Sequence, residues 1–298
     1  MEKPIIHLES VSKSYGRKEA VCNLTLSIPP GVSYGLIGRN GAGKTTALRL
    51  IMGMLHPTQG TVRVFDGDPI TEAERVKLHI GYLAEDQVFP RVLYPVDLFR
   101  FFSECYPTWD DTFAKSLIDR FKIPIHRRLA TLSKGEQRQV GLLCAVAHRP
   151  KLLVLDEPGG GLDPVVRRGF LEEVIELLAN EETTVLFSSH HLQEVERIAT
   201  RIGILHEGQL LLEEDLDQLR EGSCEILAEL NGTDPLKIKN LLPNCIHAVR
   251  RQNNWLLTMR CNEAQARDHI NRLAGGHVQE ARSLSLEDLF IRLVGGEK

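Results

Sequence analysis

The sequence predicts an α/β fold built on a largely parallel sheet, followed by a small α+β domain, and three observations carry this. Gly38-Arg39-Asn40-Gly41-Ala42-Gly43-Lys44-Thr45 fits GxxxxGK[ST] between an apolar strand, Tyr34 to Ile37, and a helical run. Leu152-Leu153-Val154-Leu155 is a continuous apolar run, as expected of a strand covered on both faces, and it ends in Asp156-Glu157. From there strand and helix patterns alternate as far as Leu205, which calls for parallel neighbours.

The chain opens with β-type runs, Ile5 to Val11, Val21 to Ile28 and Val32 to Ile37, which together read as antiparallel material. A helix from Thr46 to Leu55 closes at His56-Pro57, and a strand from Thr61 to Phe65 stops at Asp66-Gly67. Helical patterns dominate from Tyr94 to His148. The alternating part holds a helix near Pro164 to Ala179, a strand Thr184 to Ser188, a helix from His191 and a strand Ile202 to Leu205 before the turn Glu207-Gly208. A helix near Asp215 to Arg220 finishes a domain of residues 1–220, and Glu221-Gly222-Ser223 reads as a linker. Residues 221–298 run β, α, β, β, α, β and a last helix, Leu286 to Val294, the order of a ferredoxin-like split βαβ unit; its first helix is expected at Pro235 to Leu242.

Composition narrows the function. A net charge of −4 and a pI near 6.3 give no basic footprint, so nucleic acid is not an expected partner. The six cysteines form no CxxC pair, which points away from a zinc knuckle or disulfide framework. No apolar run reaches the ~18 residues of a membrane span, so any membrane role is expected through a partner.

The glycine-rich loop has the chemistry of a phosphate cradle. Glycines let backbone N–H groups of Gly38, Asn40, Gly41, Ala42, Gly43 and Thr46 converge, and the helix N-terminus favours an anion. In such a loop Lys44 reaches the β- and γ-phosphates and Thr45 offers a hydroxyl to Mg²⁺. Asp156 is a second Mg²⁺ partner, and Glu157, on the other face by strand alternation, is placed to take a proton from water. Ser188-Ser189-His190-His191 ends the next strand, which makes His190 a candidate sensor of the γ-phosphate.

Leu132-Ser133-Lys134-Gly135-Glu136-Gln137 follows, read also as the S-x-x-E capping box of an amphipathic helix. With the glycine loop, this Leu-Ser-x-Gly segment, Asp156-Glu157, Gly161-Leu162-Asp163 and His190 in order, residues 3–220 resemble the ABC-family ATPase subunits. The resemblance implies a P-loop fold with a mixed sheet core, an antiparallel β subdomain and a helical subdomain at about 86–150. It implies ATP as substrate, Mg²⁺ as cofactor, and a second ATPase subunit, the same or a related chain, whose γ-phosphate Ser133, Gly135 and Glu136 contact. Tyr15 matches the adenine-stacking aromatic. Glu85 stands where many relatives carry a glutamine touching Mg²⁺ and water, a departure that leaves its role open.

Ten of the 17 aromatic residues lie between Tyr82 and Phe121. They suit both a small core and the surface on which, in this family, a permease docks. Ser283-Leu284-Ser285-Leu286-Glu287-Asp288-Leu289-Phe290 resembles the tail of ATPases serving ABC-2-type exporters. The resemblance therefore implies an ATPase at the inner face of the plasma membrane, coupling dimer closure to export by a separate integral membrane permease. A soluble ABC ATPase and a nucleotide-switched regulatory module without a permease stay open as alternatives.

Overall fold

The computed structural model describes residues 3–162, 167, 169, 170, 174, 183–230, 238, 241, 242, 244–273 and 276–295. The expected helix from Pro164 to Ala179 and the one from Pro235 to Leu242 fall largely outside these residues, and so does Asp163. Contacts divide the chain into Met1–Leu212 and Glu213–Lys298.

In the first unit, β1 (Ile6–Tyr15) pairs antiparallel with both β2 (Lys18–Ile28) and β4 (Gln59–Val64). Their alternating burial turns Ile6, Leu8, Leu24, Leu26 and Val64 inward, the period-2 pattern of a sheet wet on one face. The third opening run does not join them. β3 (Ser33–Ile37) is parallel to β7 (Thr184–Ser189) on one side and β8 (Arg201–His206) on the other. Its burial explains the correction: Tyr34 to Ile37 are covered on both faces, as a central parallel strand requires. The full order is β5 (Ile80–Leu83), β6 (Leu152–Leu155), β7, β3, β8 and β9 (Gln209–Asp215).

Helix α1 (Lys44–Ile51) contacts β2 and β4 and buries Ala47, Leu48 and Ile51 in the core cluster that the two sheets share. After α2 (Ala73–Lys77) and β5, the aromatic-rich segment forms α3 (Pro95–Cys105), α4 (Asp111–Phe121) and α5 (Lys134–Val146). Each start has a local cause. Pro95 opens α3 behind Tyr94, whose N–H donates to Asp97 at 3.0 Å, and Asp110 accepts from Phe113 N at 2.8 Å before α4. Helix α6 (Leu192–Ile198) packs on β3 and β7.

The second unit holds α7 (Leu216–Glu221), which was expected to end the first domain. Glu214 is ion-paired with Arg260, which ties the chain entering α7 to the second unit. Its sheet is antiparallel throughout, in the order β11 (Cys245–Arg251), β12 (Asn254–Met259), β10 (Cys224–Leu230), β13 (Gly276–Ser283). β12 is inserted between β10 and β11, which is the split arrangement expected from the sequence. One face buries Ile226, Ala228, Trp255 and Leu257 with Ala266 and Ile270 of α8 (Glu263–Asn271). Helix α9 (Leu286–Val294) starts at Ser285, whose hydroxyl accepts from Asp288 N at 3.0 Å. Among the described residues no helix is long and apolar enough to cross a membrane.

Candidate active site

Parallel strands end on the same side, so the loops after β3, β6 and β7 share one sheet edge. β7 lies between the other two, and its last residues therefore stand between the loop 38–45 and the pair Asp156-Glu157.

The loop is folded tightly. Gly43 has φ +106°, and a Cβ there would stand 2.3 Å from Ala20 O; at Gly38 one would stand 2.5 Å from Leu205 O, so neither position admits a side chain. Ala42 N donates to Arg39 O at 3.0 Å, and Gly208 N donates to Ala42 O at 2.9 Å, which pins the loop to the β8–β9 turn. Asn40 and Gly41 are exposed, and Thr46 is half-buried. Helix α1 has no side-chain cap and no acidic residue in its first turn, a start whose N–H groups and dipole suit an anion.

Lys44 is 6% exposed. Its ammonium donates to Gly38 O at 2.7 Å and pairs with Glu157 Oε1 at 3.0 Å. His190 Nδ1 lies 2.8 Å from the other oxygen, Glu157 Oε2, so both carboxylate oxygens are engaged. Glu157 itself has φ +45°, and its N–H donates to Ser188 Oγ at 2.8 Å. Ser188 in turn donates to Asp156 Oδ1 at 2.7 Å, and Thr45 Oγ1 donates to that same oxygen at 3.2 Å.

Asp156 is almost wholly buried, and burial raises its pKa above the ordinary carboxylate value; the two hydroxyls oppose this and the Glu157 charge adds to it. A hydroxyl and a carboxylate side by side are hard oxygen donors of the kind Mg²⁺ takes when phosphates complete its sphere. Glu85, exposed beyond β5, has its pKa raised first by partial desolvation and then by Asp156 and Glu157, so it lies within their field.

Other expected site residues make their contacts outside this cluster. Ser133 accepts from Glu136 N at 3.2 Å while Ser133 N donates to Glu136 Oε2 at 2.6 Å, the reciprocal cap, with Gly135 in the first turn of α5. Tyr15 is half-exposed at the end of β1, with the Lys13 ammonium 5.5 Å from its ring centroid. Two residues had no role in the sequence reading. Ser188 joins Asp156 to the Glu157 backbone, and the buried Arg138 of α5 donates to Ala84 O, to Glu85 O and, at 3.4 Å, to Glu157 O. The only sequence signal for Ser188 was its place at the end of a strand beside His190; for Arg138 there was none.

A family model described as "ABC transporter" matches residues 21–160, and one described as an AAA domain overlaps it at 125–196. Over 297 residues the chain is 36% identical to the ABC transporter ATP-binding protein YtrB of Bacillus subtilis (strain 168), covering 99% of both. The chain belongs to the ABC transporter ATP-binding proteins. This ABC ATPase is also 30% identical to the Nod factor export ATP-binding protein I of Paraburkholderia xenovorans (strain LB400), covering 100% of the chain and 99% of that protein. The solved structure of an ATP-binding subunit of an ABC transporter matches with a TM-score of 0.64 at 28% identity, over 72% of this chain and 92% of the other. The P-loop fold and the ATPase activity expected from the sequence hold.

Proposed function

We propose that this ABC ATPase closes head-to-tail on a second ATPase subunit, the same or a related chain, and that hydrolysis at the Glu157 carboxylate reopens the pair. The observation that carries the reading is the double hold on Glu157 by Lys44 and His190, beside the Thr45–Asp156 pair. The amides of the loop from Gly38 to Thr46 take the phosphates, and Tyr15 stacks on the adenine. Thr45 and Asp156 would hold Mg²⁺, which would supply charge neutralisation to the phosphates, and Glu85, within the field of Asp156 and Glu157, would orient water beside it.

Lys44 is the group that changes partners. When its ammonium turns to the β- and γ-phosphates it leaves Glu157 Oε1, and that oxygen becomes free to accept a proton from attacking water. His190 keeps the other oxygen fixed through this change and would sense the γ-phosphate from there. Ser133, Gly135 and Glu136 at the α5 N-terminus complete the site of the opposite subunit.

The permease surface is read from the groove between α2 and α3. This open groove, about 420 Å³, is lined by Lys77, Leu78, Phe101, Phe102, Cys105 and Tyr106, and Phe101 is 59% exposed. Phe89, Phe99 and Phe121 are buried instead, so the aromatic segment serves both a core and a surface. Behind the groove Tyr106 stacks on His148, whose pKa burial lowers to about 4, so a neutral ring backs the floor. An apolar cytosolic helix of an integral membrane permease fits there, which would hold the ATPase at the inner face of the plasma membrane. Export is supported by the relative named for Nod factor export and by the Ser283 to Phe290 tail. Residues 1–220 would be the motor and 221–298 an accessory domain.

The test is affinity purification of tagged Glu157→Gln chain with ATP from detergent extracts of its own host. A polytopic membrane protein should be retained and should be lost in the Lys44→Ala/Glu157→Gln double variant. Ribosomal proteins in its place, or no membrane partner, would move the function to a soluble ATPase.

A further inference from the structure

We propose that Arg138 is a positioning residue that links the two ATP sites, holding the Glu157 backbone of its own site to the helix whose N-terminus reads the phosphate of the other. The inference rests on the reading of Glu157 as the base and Ser133 as the contact in trans.

Arg138 lies on α5 between one and two turns from Ser133, and it is 6% exposed. Its guanidinium does not meet a carboxylate in a close pair. It is spent on backbone: Ala84 O, Glu85 O and Glu157 O, from two loops that come from the ends of β5 and β6. A guanidinium spreads five donors over a planar fork and so spans carbonyls that lie further apart than the single ammonium nitrogen of a lysine can reach together. Burying an arginine is costly, and here the nearby charges of Glu85, Asp86 and Asp156 offset part of that cost without a close pair, so the cation sits in the field of the site's acids while its donors go to the loops that carry them.

What they carry is the chemistry. Glu157 has a left-handed backbone, φ +45°, a conformation that a residue with a side chain keeps only when its surroundings hold it. Ser188 holds the N–H, and the carbonyl takes Gly160 N–H at 2.8 Å and the Arg138 guanidinium at 3.4 Å, so the peptide is fixed on either side of the Cα that aims the carboxylate and Arg138 adds the tie to α5. The same arginine holds the backbone at Glu85, the other acid facing the site. Helix α5 is a single element from Lys134 to Val146, so a displacement of its first turn on meeting a phosphate would be carried along it to Arg138. Each subunit's base would then be set by nucleotide in the opposite site, and turnover would be cooperative in ATP.

Purified full-length Arg138→Lys and Arg138→Met chains test this through ATP binding at equilibrium, kcat, KM and the Hill coefficient. Expected are a kcat lower by about 10-fold for Lys and about 100-fold for Met, the size of effect that misplacement of a reacting group by ~1 Å produces. Equilibrium ATP affinity should stay within about 3-fold of wild type, and the Hill coefficient should fall toward 1, as expected if the ATP cradle is untouched and only the link is cut. If the Met variant fails to fold, the Lys variant carries the test. The Arg138→Lys/Glu157→Gln double variant should be no slower than Glu157→Gln alone, because the two changes act on one group. Wild-type kcat and Hill coefficient in Arg138→Lys, or rate losses that multiply in the double variant, would overturn the proposal while leaving Glu157 as base. Wild-type turnover by Glu157→Gln alone would overturn the underlying reading as well.

Discussion

The ATP-site edge of the first unit and the outer face of the accessory sheet each bury a carboxylate, and they treat it in opposite ways. Glu225 in the accessory sheet receives Arg282 on one oxygen and Arg292 on the other, both at 2.7 Å. Asp156 receives two hydroxyls, from Ser188 and Thr45, and its pKa is raised by burial. Glu225, matched by two arginines of its own unit, is part of the architecture, whereas Glu157 is paired with Lys44, a cation that the proposed cycle turns toward the nucleotide. Asp156, hydrogen-bonded by neutral donors, would keep its field for the Mg²⁺ of the proposed site. Burial of acids therefore separates site from scaffold only when the partners are compared.

That contrast gives opposite signs on mutation. Asp156→Asn should lower ATP turnover by at least about 100-fold, through loss of the metal-binding charge. It should also raise thermal stability at neutral pH, by about 0.5–2 kcal/mol, as is common when a strained site residue is relieved. The sign follows from linkage: the folded-state pKa of Asp156 lies above the unfolded one, so the ionised acid costs stability above that folded pKa and nothing below the unfolded value. Calorimetry at pH 7 beside a steady-state ATPase assay measures both, and a lower melting temperature in Asp156→Asn would break the contrast.

Glu225→Gln should behave the other way, with ATP turnover within about 2-fold of wild type and stability lower by about 1–3 kcal/mol, since two arginines lose their anion. The smaller end of that range is expected because Arg282 is 56% exposed and its pairing is screened. Denaturant unfolding followed by a probe in the second unit, Trp255, would detect the loss. An unchanged midpoint would show that the pairing is surface decoration.

What could be read from the sequence follows the range of each interaction. The glycine loop, the apolar run before Asp156 and the S-x-x-E cap are local patterns, and their chemistry is set by neighbours in the chain. The four strands of the second unit and the helices at Glu263–Asn271 and Leu286–Val294 were legible because strand periodicity and turn residues mark them, while the first expected helix, Pro235 to Leu242, lies largely outside the described residues; the antiparallel order β11-β12-β10-β13 follows from the split connection. The parallel placement of β3 was not legible, since a short apolar run looks alike in an antiparallel and a parallel sheet. Nor were Ser188 and Arg138. Ser188 reaches Asp156 across 32 positions and Arg138 reaches Ala84 across 54, distances at which only the strand order brings partners together. The Lys44–Glu157 pair belongs to the same class: both residues were named for what they do to ATP, and their contact with each other appears only when β3 and β6 flank β7.

The most direct measurement is ATP hydrolysis by purified Glu157→Gln chain, with its mass in solution followed by light scattering with and without Mg·ATP. The account predicts turnover lower by about 10²- to 10⁴-fold, the contribution of a positioned base, with ATP still bound and the mass doubled in its presence. Turnover within 2-fold of wild type, roughly 0.4 kcal/mol in barrier, would contradict it, because the carboxylate held by Lys44 and His190 would then not be the group that takes the proton.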